Sequence, residues 1–174
     1  MGTATDGDLS LTAWREGPSL YAATSDGRGL EWTQPVLVDY HQTDGWLSPK
    51  SIAVSDGVAY VAWRTDRNGS DEDVYFSRSN DRGSTWSNPI RIPDSGLPGE
   101  VDVLNLQLVA SGPHVYAAFL VESPQSFRDV EIWLSASPDE GRTWYPSIRA
   151  NTVDEKCSNL DVVCEGPNAF VSWT

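Results

Sequence analysis

The chain has 174 residues, with 12 Lys and Arg against 25 Asp and Glu and a formal net charge of −13. The length suits one domain with a real core, and eight Trp exclude a disordered chain. The acidic balance counts against a nucleic-acid partner or an anionic membrane surface, both of which want a basic face, and no apolar run reaches membrane-spanning length.

Read in chain order, the elements are all strands. The chain opens on a strand at residues 10–14 and adds two more by residue 38. A polar stretch at residues 39–49 leads to a short apolar run at 51–55, a turn at Asp56-Gly57 and a second run at 58–63. A loop at 64–73 precedes a strand at 74–79, and a short strand follows at 90–92. The same order repeats from residue 104, with turns at Ser111-Gly112-Pro113 and, in the last copy, at Glu165-Gly166-Pro167. No apolar pattern of period 3.6 is long enough for a helix. The expected tally is three strands, then four, four and two. Blade repeats fall at 9–38, 51–92 and 104–149, with an incomplete one at 159–174. Runs such as 58–63 are apolar on both faces, so both faces are covered. A four-strand meander with both faces covered, repeating at roughly 50 residues, is a β-propeller blade.

Two landmarks carry the repeat. Ser79-Asn80-Asp81-Arg82-Gly83-Ser84-Thr85-Trp86 and Ser137-Pro138-Asp139-Glu140-Gly141-Arg142-Thr143-Trp144 share the pattern S-x-D-x-G-x-T-W. A degenerate copy runs from Ser25-Asp26 to Trp32, with one extra residue and Glu31 in place of Thr. The second landmark is an aromatic-ended strand: Leu11-Thr12-Ala13-Trp14, Tyr60-Val61-Ala62-Trp63, Tyr116-Ala117-Ala118-Phe119 and Phe170-Val171-Ser172-Trp173. In the Asp turn, a carboxylate such as Asp81 accepts hydrogen bonds from its own turn, and Gly83 supplies a positive φ. Trp86 then folds over the hairpin and buries apolar surface worth about 2–3 kcal/mol. The turn is a fastener, built of Ser79, Asp81, Gly83, Thr85 and Trp86 in one copy and Ser137, Asp139, Gly141, Thr143 and Trp144 in the next.

At these residues the chain resembles the Asp-box, or bacterial neuraminidase repeat, proteins of the sialidase-like superfamily. The resemblance implies an all-β, partial β-propeller of about three blades, half of a six-bladed ring. It also implies either a sialidase-like glycosidase or a non-catalytic propeller that binds glycans or proteins. Sialidases of this family clamp the substrate carboxylate with three arginines and use an Asp acid/base and a Tyr nucleophile assisted by a Glu. Here Lys50, Asn105 and Asn159 stand at the strand starts where such arginines would sit, and Arg91 follows an Asp turn instead. The missing clamp favours a binding module over an autonomous sialidase. The alternative is a hydrolase whose remaining catalytic residues lie outside this chain.

The candidate site face is formed by the loops at 39–49, 94–103, 150–158, 64–73 and 122–129. Tyr40, His41, Asp44 and Trp46 fall outside the repeating landmarks and suit a ligand: aromatic faces stack on sugar rings, and flanking carboxylates bind hydroxyls. Asp66, Asn68, Ser70, Asp71 and Asp73 offer oxygens at near-alternating positions, which a hard cation such as Ca²⁺ wants, although the spacing misses the EF-hand pattern. No other cofactor is implied. Cys157 and Cys164 read as free or semi-buried thiols if an extended strand beginning near Asn159 holds them apart, and the alternative is an intrachain disulfide. Three blades and a fraction cannot close a ring, so the expectation is a fragment of a longer protein or a half-propeller closed as a homodimer. No basic-then-apolar leader follows Met1, which leaves a leader on a longer parent open.

Overall fold

The computed structural model describes residues 2–26, 28–41, 47–66, 73–92, 103–122, 130–151 and 157–174. All the elements are strands: β1 Gly2–Asp6, β2 Leu9–Glu16, β3 Ser19–Ser25, β4 Val36–Tyr40, β5 Leu47–Ser55, β6 Val58–Thr65, β7 Asp73–Ser79, β8 Ile90–Arg91, β9 Val103–Ser111, β10 His114–Glu122, β11 Val130–Ser137, β12 Ile148–Arg149, β13 Asp161–Glu165 and β14 Asn168–Ser172. They form three antiparallel four-stranded meanders, β1–β4, β5–β8 and β9–β12, and a β13–β14 hairpin. These are propeller blades.

The first blade corrects the expected strand tally. From the sequence it begins near residue 9 with three strands; in the structure β1 pairs with β2 from Gly2↔Ala13 to Asp6↔Leu9 and completes a four-stranded sheet. The tally is four, four, four and two. The β1 sequence Gly-Thr-Ala-Thr-Asp is mostly exposed and carries no apolar run to announce it.

Apolar seams hold neighbouring blades together. Leu11, Ala13 and Leu20 of the first blade meet Val61, Trp63 and Tyr75 of the second. Tyr60, Ala62 and Phe76 of the second blade meet Leu108, Ala117 and Phe119 of the third. Ala118, Leu120 and Ile132 of the third meet Val162 of the hairpin and Leu160 just before it. Strands β6 and β10 are therefore buried on both faces, which explains their unbroken apolar sequences. The outer face of the hairpin is different. Phe170, 64% exposed, and Val163 stand open there, where Tyr60 and Ala53 of the second blade are buried.

A polar stitch accompanies each seam. The last residue of one blade's first strand accepts an N–H from the next blade's turn: Asp56 donates to Asp6 (2.9 Å), Gly112 to Ser55 (2.9 Å) and Gly166 to Ser111 (2.9 Å). Gln107 adds a two-way link, donating to the Leu160 carbonyl and accepting from the Val162 amide.

The two full Asp turns share one geometry. Asp81 accepts bonds from the Thr85 amide (2.8 Å), the Thr85 hydroxyl (2.6 Å) and the Ser79 hydroxyl (2.7 Å). Asp139 accepts the matching three from Thr143 and Ser137, at 2.8, 2.7 and 2.9 Å. Each Ser hydroxyl also accepts the amide of Gly83 or Gly141, both 2.8 Å. These bonds hold the Asp81 carboxyl down at about 2, the Thr85 hydroxyl contributing most. Burial pushes Asp139 up, but its bonds from Thr143 and Ser137 outweigh that and leave it lowered.

The structure widens the expected role of these turns. Each is packed on the preceding blade as well as folded over its own hairpin. Trp86 packs into the seam between the first two blades, and the Trp144 indole meets the Phe76 ring edge-on at 5.1 Å. The backbone of Gly141 lies against the Phe76 ring, and Gly83 lies against Thr24. Thr24 donates to the Arg82 carbonyl (2.7 Å), and Arg78 pairs with Glu140 (2.9 Å). The fastener joins blade to blade.

Candidate functional site

In this topology the strand ends that flank the loops named above lie at one end of the blades, with the β2–β3 turn at Gly17-Pro18, and the Asp turns lie at the other end with the turns that join each blade's first two strands. On the loop face, β4 ends at Tyr40 and hands the chain to His41, whose amide donates to the Pro18 carbonyl (2.9 Å). That bond ties His41 to the β2–β3 turn of its own blade. Its ring is buried, and Nε2 lies 3.9 Å from the Asp66 carboxylate at the end of β6. Tyr40, the adjacent residue, is 51% exposed. Residues drawn from the ligand set and the cation set thus come together at the junction of the first and second blades. Asp44, Trp46, Asn68, Ser70 and Asp71 lie outside the described residues.

Asp73 has another engagement. It is buried at the start of β7, and its Oδ1 lies 2.6 Å from Arg91 Nη2. A carboxylate held by a guanidinium at that distance is a poor free ligand for a cation. Among the described residues no group of three or more His, Cys, Asp or Glu is placed to hold a metal.

The third blade repeats this pair. Glu131, buried near the start of β11, accepts from Arg149 (3.1 Å) and from the Trp133 indole N–H (2.9 Å). Asn151 accepts from the Ile132 amide and from Arg149, and donates to the Val130 carbonyl. The network ties the outermost strand of the blade to its neighbour. Sequence reasoning missed it, although the repeated dipeptides Ile90-Arg91 and Ile148-Arg149 carried the signal. Cys157 is buried near Asn151, with Asn151 Nδ2 3.7 Å from its sulfur, and no disulfide joins it to Cys164. Burial pushes the Cys164 thiol up.

The degenerate Asp turn behaves unlike the other two. Among the described residues Asp26 accepts long contacts, 3.5 Å from the Ser25 hydroxyl and 3.4 Å from the Arg28 amide. Trp32 keeps its strand bridge to Ser25, but its indole N–H donates to the Gly29 carbonyl within the turn (3.2 Å) and the ring is 41% exposed. The extra residue and Glu31 leave this copy without the hydroxyl and amide clamp that Thr85 and Thr143 provide.

Three blades of antiparallel meanders, with a further hairpin in series, define a sialidase-like propeller fold. The comparisons agree. Among solved structures the chain is similar to a Trypanosoma rangeli sialidase in complex with the inhibitor DANA, at 13% identity over 95% of this chain and 32% of that one, with a TM-score of 0.63. It is similar to a Hadza microbial sialidase at 13% identity, 92% and 38% coverage, and a TM-score of 0.63. A Bombyx mori GH32 beta-fructofuranosidase mutant in complex with sucrose matches at 13% identity, 99% and 40% coverage, and a TM-score of 0.53. The chain spans less than half the length of each of these three. No protein-family model and no curated protein matches the sequence.

Proposed function

We propose that the chain is part of an Asp-box propeller that binds a glycan without cleaving it, on the loop face at the seam between its first two blades. The observation that carries this reading is the exposed Tyr40 next in sequence to His41, whose buried ring lies 3.9 Å from the half-buried Asp66 carboxylate. An exposed aromatic offers an apolar platform to the C–H face of a sugar, and a carboxylate next to it accepts hydroxyl donors. The two bonding patterns around Asp81 and Asp139 support the Asp-box assignment, because they give the letters that recur within the chain a physical task.

The arginines favour binding over sialidase chemistry. Arg91 and Arg149 are each held by a carboxylate of their own blade, at 2.6 and 3.1 Å. A guanidinium already neutralised in this way makes a weak clamp for a substrate carboxylate. The test is a glycan array read with the wild-type chain and with Tyr40→Ala. Binding that falls at least tenfold in the variant supports the reading. Hydrolysis of a fluorogenic sialoside that survives further purification overturns it in favour of a glycosidase.

A further inference from the structure

On the opposite face, the degenerate Asp turn of the first blade and the full turn of the second enclose a crevice of about 440 Å³. That volume lies within the range of small-molecule sites, about 300–1,000 Å³. Its walls include Trp32, Asp26, Glu31, Asp81 and Arg82. We propose that this crevice is a second ligand site and that it takes a neutral saccharide.

The local departures from the repeat create the site. At the next junction along the row, Phe76 reaches the turn of the third blade and Arg78 pairs with Glu140. In the register of the strands, Ala22 and Thr24 of the first blade stand where Phe76 and Arg78 stand in the second. Thr24, which stands in the place of Arg78, lines the crevice and makes no ion pair across it. The Trp32 ring, in the turn with the extra residue, is 41% exposed beside it.

The polar inventory selects the ligand class. Asp81 has three short bonds from its own turn and little left to offer. Among the described residues Asp26 has contacts of 3.4 and 3.5 Å, and Glu31 replaces the Thr that would have donated to it. Two carboxylates therefore keep acceptor capacity beside an accessible indole, an arrangement that takes vicinal hydroxyls and a C–H face together. Arg82 is held by Asp8, its Nη1 3.1 Å from the carboxylate and its Nη2 3.1 Å from the carbonyl, and it remains half exposed. Arg82 is already paired with Asp8, so the carboxylates set the local charge and disfavour an anionic ligand. A neutral polyhydroxylated ring meets them as a hydroxyl donor, and an organic cation is the outcome the test sets against it.

The site is tested by two-dimensional NMR of the tryptophan indole N–H signals. The probes are methyl glucoside, methyl galactoside, methyl mannoside, cellobiose and lactose, each titrated to about 10 mM. The Trp32 signal is assigned by its loss in Trp32→Phe. At least one saccharide is expected to shift that signal saturably, and Asp26→Asn with Glu31→Gln should weaken the response at least tenfold while the other indole signals stay in place. Tyr40→Ala should leave it unchanged, which separates this site from the loop-face site. The proposal is overturned if no saccharide in the panel moves the Trp32 signal, or if tetramethylammonium moves it and no saccharide does.

Discussion

Replacing Gly83 by Ala should destabilise the chain through its contact with the neighbouring blade, and Thr24→Ser should relieve much of the damage. Gly83 has φ of +87°, and a Cβ placed there would lie 2.5 Å from the Thr24 methyl and 3.1 Å from its hydroxyl oxygen. The left-handed backbone costs an alanine about 1–2 kcal/mol, and forced overpacking adds about 1–3 kcal/mol. Thr24 cannot swing aside cheaply. It is buried, and its hydroxyl donates to the Arg82 carbonyl at 2.7 Å. The single substitution should therefore cost about 2–5 kcal/mol. Thr24→Ser removes the methyl and keeps the donor. Alone it should cost about 1 kcal/mol for the lost methyl, yet in the Gly83→Ala background it should be neutral or stabilising. Urea unfolding of the four proteins, followed by circular dichroism, gives the coupling energy, expected at about 1–3 kcal/mol. Effects that add within about 0.5 kcal/mol would refute the seating of this turn on the first blade.

Acid should weaken the chain through the two full Asp turns. Asp81 is lowered from 3.8 to about 2, and Asp139 is lowered as well. A carboxyl with a depressed folded value contributes stability above its unfolded value and loses it as pH falls through the folded one. The urea midpoint should therefore drop between about pH 4 and pH 2, and Thr85→Val with Thr143→Val should flatten that dependence. A double variant with the same acid profile as wild type would show that the Thr hydroxyls do not hold these carboxylates. In the third blade, Glu131→Ala should cost about 3 kcal/mol, near the low end for breaking a buried pair because Arg149 is partly solvated. A loss under about 1 kcal/mol by urea unfolding would place that network outside the stability of the blade.

Much of the fold was legible because blade sequences repeat two unrelated features, the Asp turn and the aromatic-ended strand, in one order. Strand β1 was not legible. Its small polar residues pair through backbone alone, and backbone pairing leaves little trace in residue type. The stitches between blades were hidden for a similar reason. Ser55 and Ser111 look like ordinary polar strand ends until a neighbouring turn brings an amide to them. On the loop face, Tyr40, His41 and Asp66 were each legible as candidates, but only folding shows that His41 and Asp66 meet. Asp73 was misleading in isolation, since its carboxylate chemistry suits a cation as well as the arginine that holds it. The insertion before Trp32 was visible, whereas the exposure of its ring and the crevice beside it show only in the folded chain.

The stitch from one blade's strand end to the next blade's turn recurs across separations of 50, 57 and 55 residues. Each blade therefore presents the same socket on one side and the same plug on the other. Such a row is indifferent to the number of units standing in it, so gaining or losing a whole blade leaves every remaining junction intact. A single residue inserted within a strand is far more disruptive, because it turns every side chain beyond it to the wrong face. Lineages built on this architecture should accordingly vary in length by entire blades and by lengthening turns, as the first Asp turn has done, while the strand interiors hold their register.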